Sequence, residues 1–209
     1  MAIDKKTDSD TPHYHHGDLR NALLQAAEQL LVEQGVAGLS LRAVAKQAGV
    51  SHAAPYRHFR DKAALLRALA QSGFERLATV MQAATDVVAH NPELKLVEAG
   101  VAYVRLAIEQ PEISQLMFGG SVAPQGDEAY QQAARAAFEA LAEIIREGVS
   151  AGVFRDRDPE ELALAAWTAM HGMAMLMTAH LLGAGSMGQA DLDEQVSSVA
   201  RIVIYGISK

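Results

Sequence analysis

The chain has 209 residues, 50% of them hydrophobic, which is enough to bury a core in one large domain or in a small domain and a larger one. It contains no cysteine, and this excludes a disulfide framework, a thiolate metal site and a cysteine nucleophile. The net charge of -7 is unevenly distributed, because residues 1–62 hold 8 Lys and Arg against 7 Asp and Glu, whereas residues 63–209 hold 10 against 18. The acidic total therefore does not exclude a nucleic-acid partner for the N-terminal part.

The first 17 residues are polar and charged, and they lack the apolar stretch of a secretory signal. We therefore predict a flexible arm over residues 1–17 and a cytoplasmic protein. The histidines of this segment, His13, His15 and His16, suit either a metal-binding tract or an arm that is solvated or lies along a DNA backbone. We favour the arm.

Residues 18–62 are predicted to form three short helices around one small core. Apolar residues recur at helical spacing between Leu19 and Leu31, which indicates the first helix. Gly35 is expected to end this helix in the left-handed conformation. Ser40 is expected to cap the second helix, and Gly49 to stop it.

The stretch from Leu41 to Lys62 has the outline of a helix-turn-helix, whose second helix would enter the major groove of DNA. Ser51 is predicted to open that second helix. Pro55 lies inside it, lacks a backbone N–H and restricts the residue before it. We therefore expect the helix to begin late, near Ala53 or Ala54, and to be short.

The remainder of the chain, residues 63–209, is predicted to be a helical body. Capping residues, Pro at first helical positions and Gly near helix ends divide it into six helices. No run alternates with a period of two, so no strand is predicted. The predicted fold is all-α with about nine helices, in which the long fourth helix joins a three-helix head to the body without a flexible linker. The predicted body helices are 62–90, 92–110, 111–118, 127–151, 159–182 and 191–206.

The head carries an ordered set of residues between Tyr14 and Leu69. The set comprises the Gly35–Ser40 connection, Val44-Ala45, Ala48-Gly49-Val50-Ser51, Tyr56-Arg57-His58-Phe59, Lys62 and Leu65-Leu66. With this set the head resembles the tetracycline-repressor (TetR) family of transcription regulators. The resemblance implies a homodimer that binds a DNA operator through its head, usually as a repressor, and a small-molecule effector in the body. In the body, Trp167, His171 and Gly172 resemble the Trp-His-Gly motif of one C-terminal subgroup of that family, as does the opening at 14–17.

Five residues of the head have the chemistry of phosphate contacts. Ser40 and Ser51 stand at predicted helix N-termini, where free N–H groups and the helix dipole favour an anion. Tyr56 and His58 have polar tips that can reach a phosphate from a helix in the groove, and Lys62 can pair with another phosphate.

Contact with base edges is predicted for Arg42, His52, Ala53 and Arg57, since Arg with guanine is the commonest specific pairing. Ala53 and Ala54 are small enough for close approach to DNA. The alternative is that the polar residues of the head form only a solvated helical surface.

The segment that begins at Trp167 is apolar over about 18 residues, the length at which a membrane span must be considered. Its histidines and threonines, and the absence of flanking basic anchors, favour instead a helix buried in the body and against a partner subunit. Its methionines suit either ordinary core packing or an adaptable pocket for an apolar ligand. His171 likewise suits a core histidine with a satisfied partner or a ligand contact. The predicted ligand-binding residues are Met117, Phe118, Trp167, Met170, His171 and Met175.

A two-fold dimer is expected because one short recognition helix reads too few base pairs. The last two helices of each chain could form an intermolecular four-helix bundle. The last helix is expected to present its apolar residues to this bundle, namely Val196, Val199, Ala200, Val203 and Ile204.

No enzyme, cofactor or metal site is predicted, because the sequence has no Gly-rich phosphate loop, no HExxH, no G-x-S-x-G and no recurring Glu-x-x-His pair. The leading hypothesis is a homodimeric regulator of a palindromic operator with half-sites roughly 34–36 Å apart. The alternative is a helical ligand-binding or interaction protein whose head no longer binds DNA.

Overall fold

Most of the predicted arm, including His13 and His15, lies outside the residues that the computed structural model describes. The same holds for the central parts of two predicted loops, 121–126 and 183–187. The described ranges are 16–88, 90–120, 127–182 and 188–208.

Within these ranges the regular structure is helical, apart from an isolated bridge between Phe154 and Ser208. The predicted all-α fold of about nine helices is confirmed by eight α-helices and one 3-10 helix. The chain divides into two compact units, Met1–Lys62 and Ala63–Lys209. The helices are α1 (His16–Gly38), α2 (Leu41–Gln47), a 3-10 helix named here the Pro55 turn (Pro55–Arg57), α3 (Lys62–Asp86), α4 (Pro92–Glu109), α5 (Pro111–Phe118), α6 (Glu128–Ser150), α7 (Pro159–Thr178) and α8 (Gln189–Ile207).

The core of the first unit lies between α1 and α2, which pack against each other. The buried residues of α1 recur at steps of three and four, as one face of a helix requires. Phe59, which is 2% exposed, adds an aromatic ring to this core, and the Arg20 guanidinium lies 5.7 Å from the ring centre. The buried residues of the two helices are Leu23, Leu24, Ala26, Ala27, Leu30, Leu31, Leu41, Val44 and Ala45.

Both predicted ends of α2 are confirmed. The Ser40 hydroxyl accepts a hydrogen bond from the N–H of Ala43 at 3.1 Å, as an N-cap does. Gly49 has a φ of 67°, and the N–H of Val50 reaches back to the carbonyl of Ala45 at 3.0 Å. This pattern is a Schellman motif, which requires a left-handed residue at position 49 and so favours glycine.

The break in α1 differs from the one predicted. Gly35 has a positive φ of 65°, as expected, but its ψ of -176° is extended rather than left-handed helical. The chain therefore kinks at Gly35 and resumes helical geometry as far as Gly38. Residues other than glycine are rarely found in this region of φ and ψ.

The predicted second helix of the helix-turn-helix is only the three-residue Pro55 turn. Its late start is confirmed, but its prediction as an α-helix opened by Ser51 is wrong. The carbonyl of Ser51 accepts from the N–H of Ala54 at 2.9 Å and closes a separate turn. Pro55 has no N–H to continue such a turn, so the bonds of the 3-10 helix start at Arg57, whose N–H donates to the carbonyl of Ala54 at 3.2 Å. The N–H of His58 then donates to the carbonyl of Pro55 at 2.9 Å.

The start signals of α4, α6 and α7 are confirmed, whereas α8 begins at Gln189, two residues before the predicted start at Asp191. The Asn91 side chain accepts from the N–H of Leu94 at 3.1 Å, and Pro92 occupies the first turn of α4. Asp127 caps α6, and Asp158 caps α7 ahead of another first-turn proline. Each cap satisfies an N–H that a helix start leaves without a helical partner.

Two ion pairs hold α4 to its neighbours. Lys95 Nζ lies 2.6 Å from Glu147 Oε2 of α6. The Arg105 guanidinium pairs through two nitrogens with the Asp193 carboxylate of α8, with an Nε–Oδ1 distance of 2.7 Å. Because both pairs are partly exposed, each contributes little energy and mainly orients the helices.

α7 ends at Thr178, four residues before its predicted end. His180 has a φ of 58°, and its N–H donates to the carbonyl of Met177 at 2.9 Å. The N–H of Leu181 donates to the carbonyl of Leu176 at 2.9 Å, which completes a Schellman motif. The earlier end was not predicted because a histidine occupies the position that glycine usually holds.

The outward apolar face of α8 also differs from the prediction. Val196, Ala200 and Ile204 are buried inside the chain, because α8 packs against α4 and α7. The large exposed hydrophobic residues of α8 are Ile202 and Tyr205. The orientation of α8 therefore places three of the five predicted interface residues in the core, whereas Val199 and Val203 are half-buried.

A close contact between α6 and Phe154 gives a test of packing. A Cβ atom at Gly148 would lie 2.1 Å from Cδ2 of the fully buried Phe154 ring. We expect Gly148→Ala to lower the free energy of unfolding by about 1–3 kcal/mol, because overpacking outweighs the better helix propensity of alanine. Thermal and urea unfolding measure this. Gly206→Ala, where a Cβ meets nothing within 4 Å, is the control; equal stability of the two variants would contradict the packing argument.

Candidate functional sites

The Pro55 turn presents two polar side chains to solvent. Pro55 is buried, and so is Phe59 four residues later, so both ends of the turn are fixed to the core of the first unit. Between them Tyr56 is 53% exposed, and Arg57 is exposed. His58 is half-buried, and its ring lies 6.4 Å from that of Phe59. The turn therefore offers a phenol and a guanidinium on a short, anchored segment.

The N-terminus of α2 and the connection after it are also exposed. Ser40 and Arg42 are exposed at the start of α2. Ser51, His52 and Ala53 are exposed between α2 and the Pro55 turn, two elements that contact each other. The structure thus places every predicted base-contact residue at the solvent-accessible surface of one unit.

This surface is rich in positive charge. Residues 40–62 include five Lys and Arg but a single acidic residue, Asp61. Exposed Lys46 and Arg60 add to the predicted cations, although Arg60 Nε lies 3.3 Å from the Asp61 carboxylate. Sequence patterns did not indicate Lys46 and Arg60, because an isolated surface cation has no distinctive spacing. A local excess of cations favours a polyanion such as DNA.

Lys62 has a structural contact in addition to its predicted role. Its Nζ donates to the carbonyl of Val36 at 2.5 Å, and the side chain is half-buried. The contact fixes the first residue of α3 to the end of α1 and satisfies a carbonyl near the helix terminus. The ammonium has two further N–H donors, so this bond is compatible with a phosphate contact.

The second unit contains a small apolar cavity of about 30 Å³. Five helices contribute to its wall, with α4 and α7 providing most of the lining. Among the described residues, no Asp, Glu, Lys, Arg or His lines it. The lining residues are Met81, Leu96, Ala99, Gly100, Tyr103, Leu141, Ala166, Trp167, Met170, Ala200 and Val203.

An aromatic cluster adjoins the cavity at Tyr103. The Tyr103 hydroxyl lies 2.7 Å from Nδ1 of His171. Phe118 packs against the His171 ring with a centroid distance of 4.6 Å, and Trp167 lies 5.4 Å from the Tyr103 ring. Burial lowers the pKa of His171 and raises the pKa of Tyr103 well above its usual range. Both side chains are therefore neutral near pH 7.

The predicted ligand-binding residues are only partly brought together. Trp167 and Met170 line the cavity. Phe118 and His171 do not line it but contact the ring of Tyr103, which does.

The two remaining predicted residues lie elsewhere in the second unit. Met117 is buried on α5, where its Sδ would lie 2.6 Å from a Cβ at Gly73 of α3. Met175 is half-buried near the end of α7 and accepts a hydrogen bond from Thr178 Oγ1 through its carbonyl. Neither lines the cavity.

Tyr103 and Gly100 are two of the nine lining residues that were not predicted as ligand contacts. One signal was present, because a glycine inside a helix costs about 0.5–1 kcal/mol relative to alanine and so needs a packing reason. The reason is visible here, since a Cβ at Gly100 would lie 3.1 Å from Sδ of Met170.

The sequence left open a metal-binding tract and a membrane span. No group of three or more His, Cys, Asp or Glu side chains lies close enough there to hold a metal ion. None of the described helices is both long and apolar enough to cross a bilayer.

Two family models match this arrangement of a basic, helical N-terminal unit and a helical second unit. "Bacterial regulatory proteins, tetR family" matches residues 23–69, and "Tetracyclin repressor-like, C-terminal domain" matches residues 96–202, which is more than half of the chain. This chain belongs to the TetR family. It is a transcription regulator with a DNA-binding N-terminal domain, and the resemblance of the head to that family is confirmed.

Individual relatives are similar over different extents. A solved structure of a protein with unknown function from Rhodococcus sp. RHA1 is 36% identical, with a TM-score of 0.83 over 95% of this chain and 100% of that chain. The tetracycline repressor protein class A of Escherichia coli is 50% identical over 52 residues, which are 25% of this chain and 24% of that protein. The nucleoid occlusion factor SlmA of a Marinomonas species is 40% identical over 76 residues, 34% of this chain and 39% of that protein. The two curated relatives are thus matched over less than half of their length.

The half-buried His171 gives a prediction for the pH dependence of stability of this TetR-family regulator. Its pKa is lower in the folded than in the unfolded chain, so the unfolded state binds more protons once the pH falls below the ordinary value near 6.5. We expect the contribution of His171 to the free energy of unfolding to be constant above about pH 7 and to decrease as the pH falls below about 6.5. Urea unfolding at each pH measures this.

His171→Gln should flatten that fall, because the titrating group is removed. His90→Gln, at an exposed position, is the matched control and should retain it. An unchanged pH profile in the His171 variant would show that burial of this imidazole is not the cause.

Proposed function

We propose that this TetR-family regulator is a homodimeric repressor that binds a palindromic operator and leaves it when a small, apolar or amphipathic effector occupies the body. The observation that carries the proposal is the Pro55 turn, where Tyr56 and Arg57 are exposed between two buried anchors. Its place of action would be the cytoplasm, where the operator DNA lies. Regulation by binding, rather than catalysis, is the function that these sites support.

The predicted contact residues divide by chemistry. Arg57 is proposed to read a base edge from the Pro55 turn, with help from Arg42, His52 and Ala53 on the surrounding surface. Phosphate contacts are proposed for the polar tips and helix starts, because they position the protein without reading sequence. The proposed phosphate contacts are Ser40, Ser51, Tyr56, His58 and Lys62.

The shortness of the Pro55 turn supports a dimer. Three residues reach few base pairs, and two heads related by a two-fold axis would double the site. Exposed apolar residues are available on α7 and α8 for the contact between protomers. They are Leu164, Leu176, Ile202 and Tyr205.

Small residues on the exposed side of α7 support close helix packing at this face. Ala165 and Thr168 are exposed, and Gly172 is half-buried one turn further. A Cβ at Gly172 meets nothing within 4 Å in the single chain. A helix of the partner protomer that packs at Gly172 would fill this space and would explain why a glycine stands inside α7.

Membership of the Trp-His-Gly subgroup is supported by the role of each motif residue. Trp167 and His171 are four residues apart, so they share one face of α7, and both contact Phe118. In this proposal Trp167 and His171 separate the cavity from α5, whereas Gly172 allows a helix of the partner protomer to pack closely against α7.

Helix α3 is the element proposed to transmit the signal. Met81 of α3 lines the cavity, and the same continuous helix begins at Lys62, which bonds to Val36 of the first unit. An effector that enters beside Met81 would tilt α3 and so change the separation of the two heads. A preference of about 1–3 kcal/mol for one separation is enough to shift DNA affinity usefully.

The DNA-binding proposal is tested by Arg57→Ala in gel shifts on the DNA upstream of the protein's own gene. Loss of a bidentate base contact should weaken specific binding roughly 5- to 150-fold and relax sequence selectivity. Arg135→Ala, at an exposed arginine of α6, is the charge-matched control and should bind normally. If Arg57→Ala keeps full affinity, selectivity and salt dependence, the head is not the reader, and the interaction-protein alternative gains support.

The dimer is tested by Gly172→Leu. The larger side chain meets open space within one chain, so helical content and thermal stability should be retained. Across a close helix contact it should overlap with the partner and lower dimer affinity at least about 10-fold, an expectation that corresponds to ~1.4 kcal/mol. Analytical ultracentrifugation across protein concentrations measures this, with exposed Ala136→Leu as the control. An undiminished dimer would place the interface elsewhere.

A further inference from the structure

The wall of the cavity has a restricted chemistry. Its side chains are aliphatic, thioether or aromatic, and none of the described lining residues carries a formal charge. The polar side-chain atoms on the lining residues are the hydroxyl of Tyr103 and the indole nitrogen of Trp167. An ion that entered would lose its hydration without gaining a countercharge.

The Tyr103 hydroxyl can bond a ligand without introducing charge. It lies 2.7 Å from Nδ1 of His171, and both groups are neutral near pH 7. If His171 carries its proton on Nε2, the phenol donates to Nδ1 and its oxygen can accept from a ligand. If the proton is on Nδ1, the imidazole donates to the phenol oxygen, and the O–H is free to donate. The pair therefore suits either a donor or an acceptor on the ligand.

Space for a ligand can be made by side-chain rotation. The cavity of about 30 Å³ holds roughly two water molecules at ~10–15 Å³ each. Met81 and Met170 form part of its wall, and each has three rotatable bonds along an unbranched chain. Gly100 leaves room beside Met170 that any larger residue would take. Rotation of the two methionines is therefore the movement that would enlarge the cavity for a ligand.

We infer that this cavity selects uncharged, predominantly apolar molecules with one hydrogen-bonding group, which pairs with Tyr103, and rejects carboxylates and ammonium ions of the same shape. The assignment of such molecules as effectors rests on the proposed function. The selectivity itself is a property of the cavity and is measurable without DNA.

The test uses four probes of similar shape: toluene, benzyl alcohol, benzoate and benzylammonium. Trp167 is the single tryptophan of the chain and lines the cavity, so its fluorescence reports occupancy directly. Toluene and benzyl alcohol are expected to give saturable changes, and the two ions to bind at least about 10-fold more weakly. Equal binding of benzoate or benzylammonium, or no saturable change with any probe, overturns the inference.

Two variants locate the binding. Tyr103→Phe should weaken the binding of benzyl alcohol at least about threefold and leave the binding of toluene unchanged, because the substitution removes only the hydroxyl. Ala166→Leu should reduce binding of both neutral probes, because it fills the cavity, and circular dichroism verifies that it folds. If either folded variant binds both toluene and benzyl alcohol as tightly as the wild type does, the assignment of the binding site to this cavity is overturned.

A gel shift with each probe separates this inference from the proposed function. Selective binding of neutral probes to a protein that does not bind its upstream DNA would support the cavity assignment and overturn the regulatory proposal. Release of DNA by benzoate but not by benzyl alcohol would overturn the effector class while supporting the regulatory proposal.

Discussion

Burial of α4 is the constraint on which the second unit depends. This helix contacts α6, α7 and α8, and most of its residues are withdrawn from water, which is the largest favourable term available to an all-helical body. A helix surrounded in this way must carry small residues where neighbours approach, and Ala99 and Gly100 meet that need. The same small residues leave space beside α4 unfilled, and this space is part of the cavity. The cavity is thus a consequence of how α4 is packed, and Tyr103 is the polar group that this packing places at its edge.

The first unit also depends on the burial of apolar residues, but there the burial fixes the position of an exposed segment. In the proposed function, the segment that contacts DNA must be exposed and yet held in place, and buried apolar residues rather than helix length would hold it. Pro55 and Phe59 are buried, and Tyr56 and Arg57 are exposed between them. Because Pro55 cannot continue a hydrogen-bonded turn, the segment is short, so the proposed pairing of two protomers would extend its reach on DNA.

The helix starts and the TetR resemblance were determined by the sequence. Asn91 with Pro92, Asp127, and Asp158 each act on N–H groups within three residues, so their effect does not depend on the rest of the fold. Gly49 acts equally locally, because its positive φ closes α2 whatever packs around it. Because such signals are local, the sequence of the head by itself predicts its helix-turn-helix outline.

The tertiary structure alone decided which residues meet across helices. The rotation of α8 about its axis buries Val196 and exposes Ile202, although the helical period of the sequence allows other orientations. Tyr103 lines the cavity and Met117 does not, because the way in which α4, α5 and α7 cross determines which side chains face the cavity. Lys62 bonds to Val36 across 26 positions, a contact that no local pattern encodes. The sequence by itself therefore determined where most helices begin and end, and the family to which the chain belongs. The packing of those helices decided the cavity, because interior contacts depend on several distant segments at once.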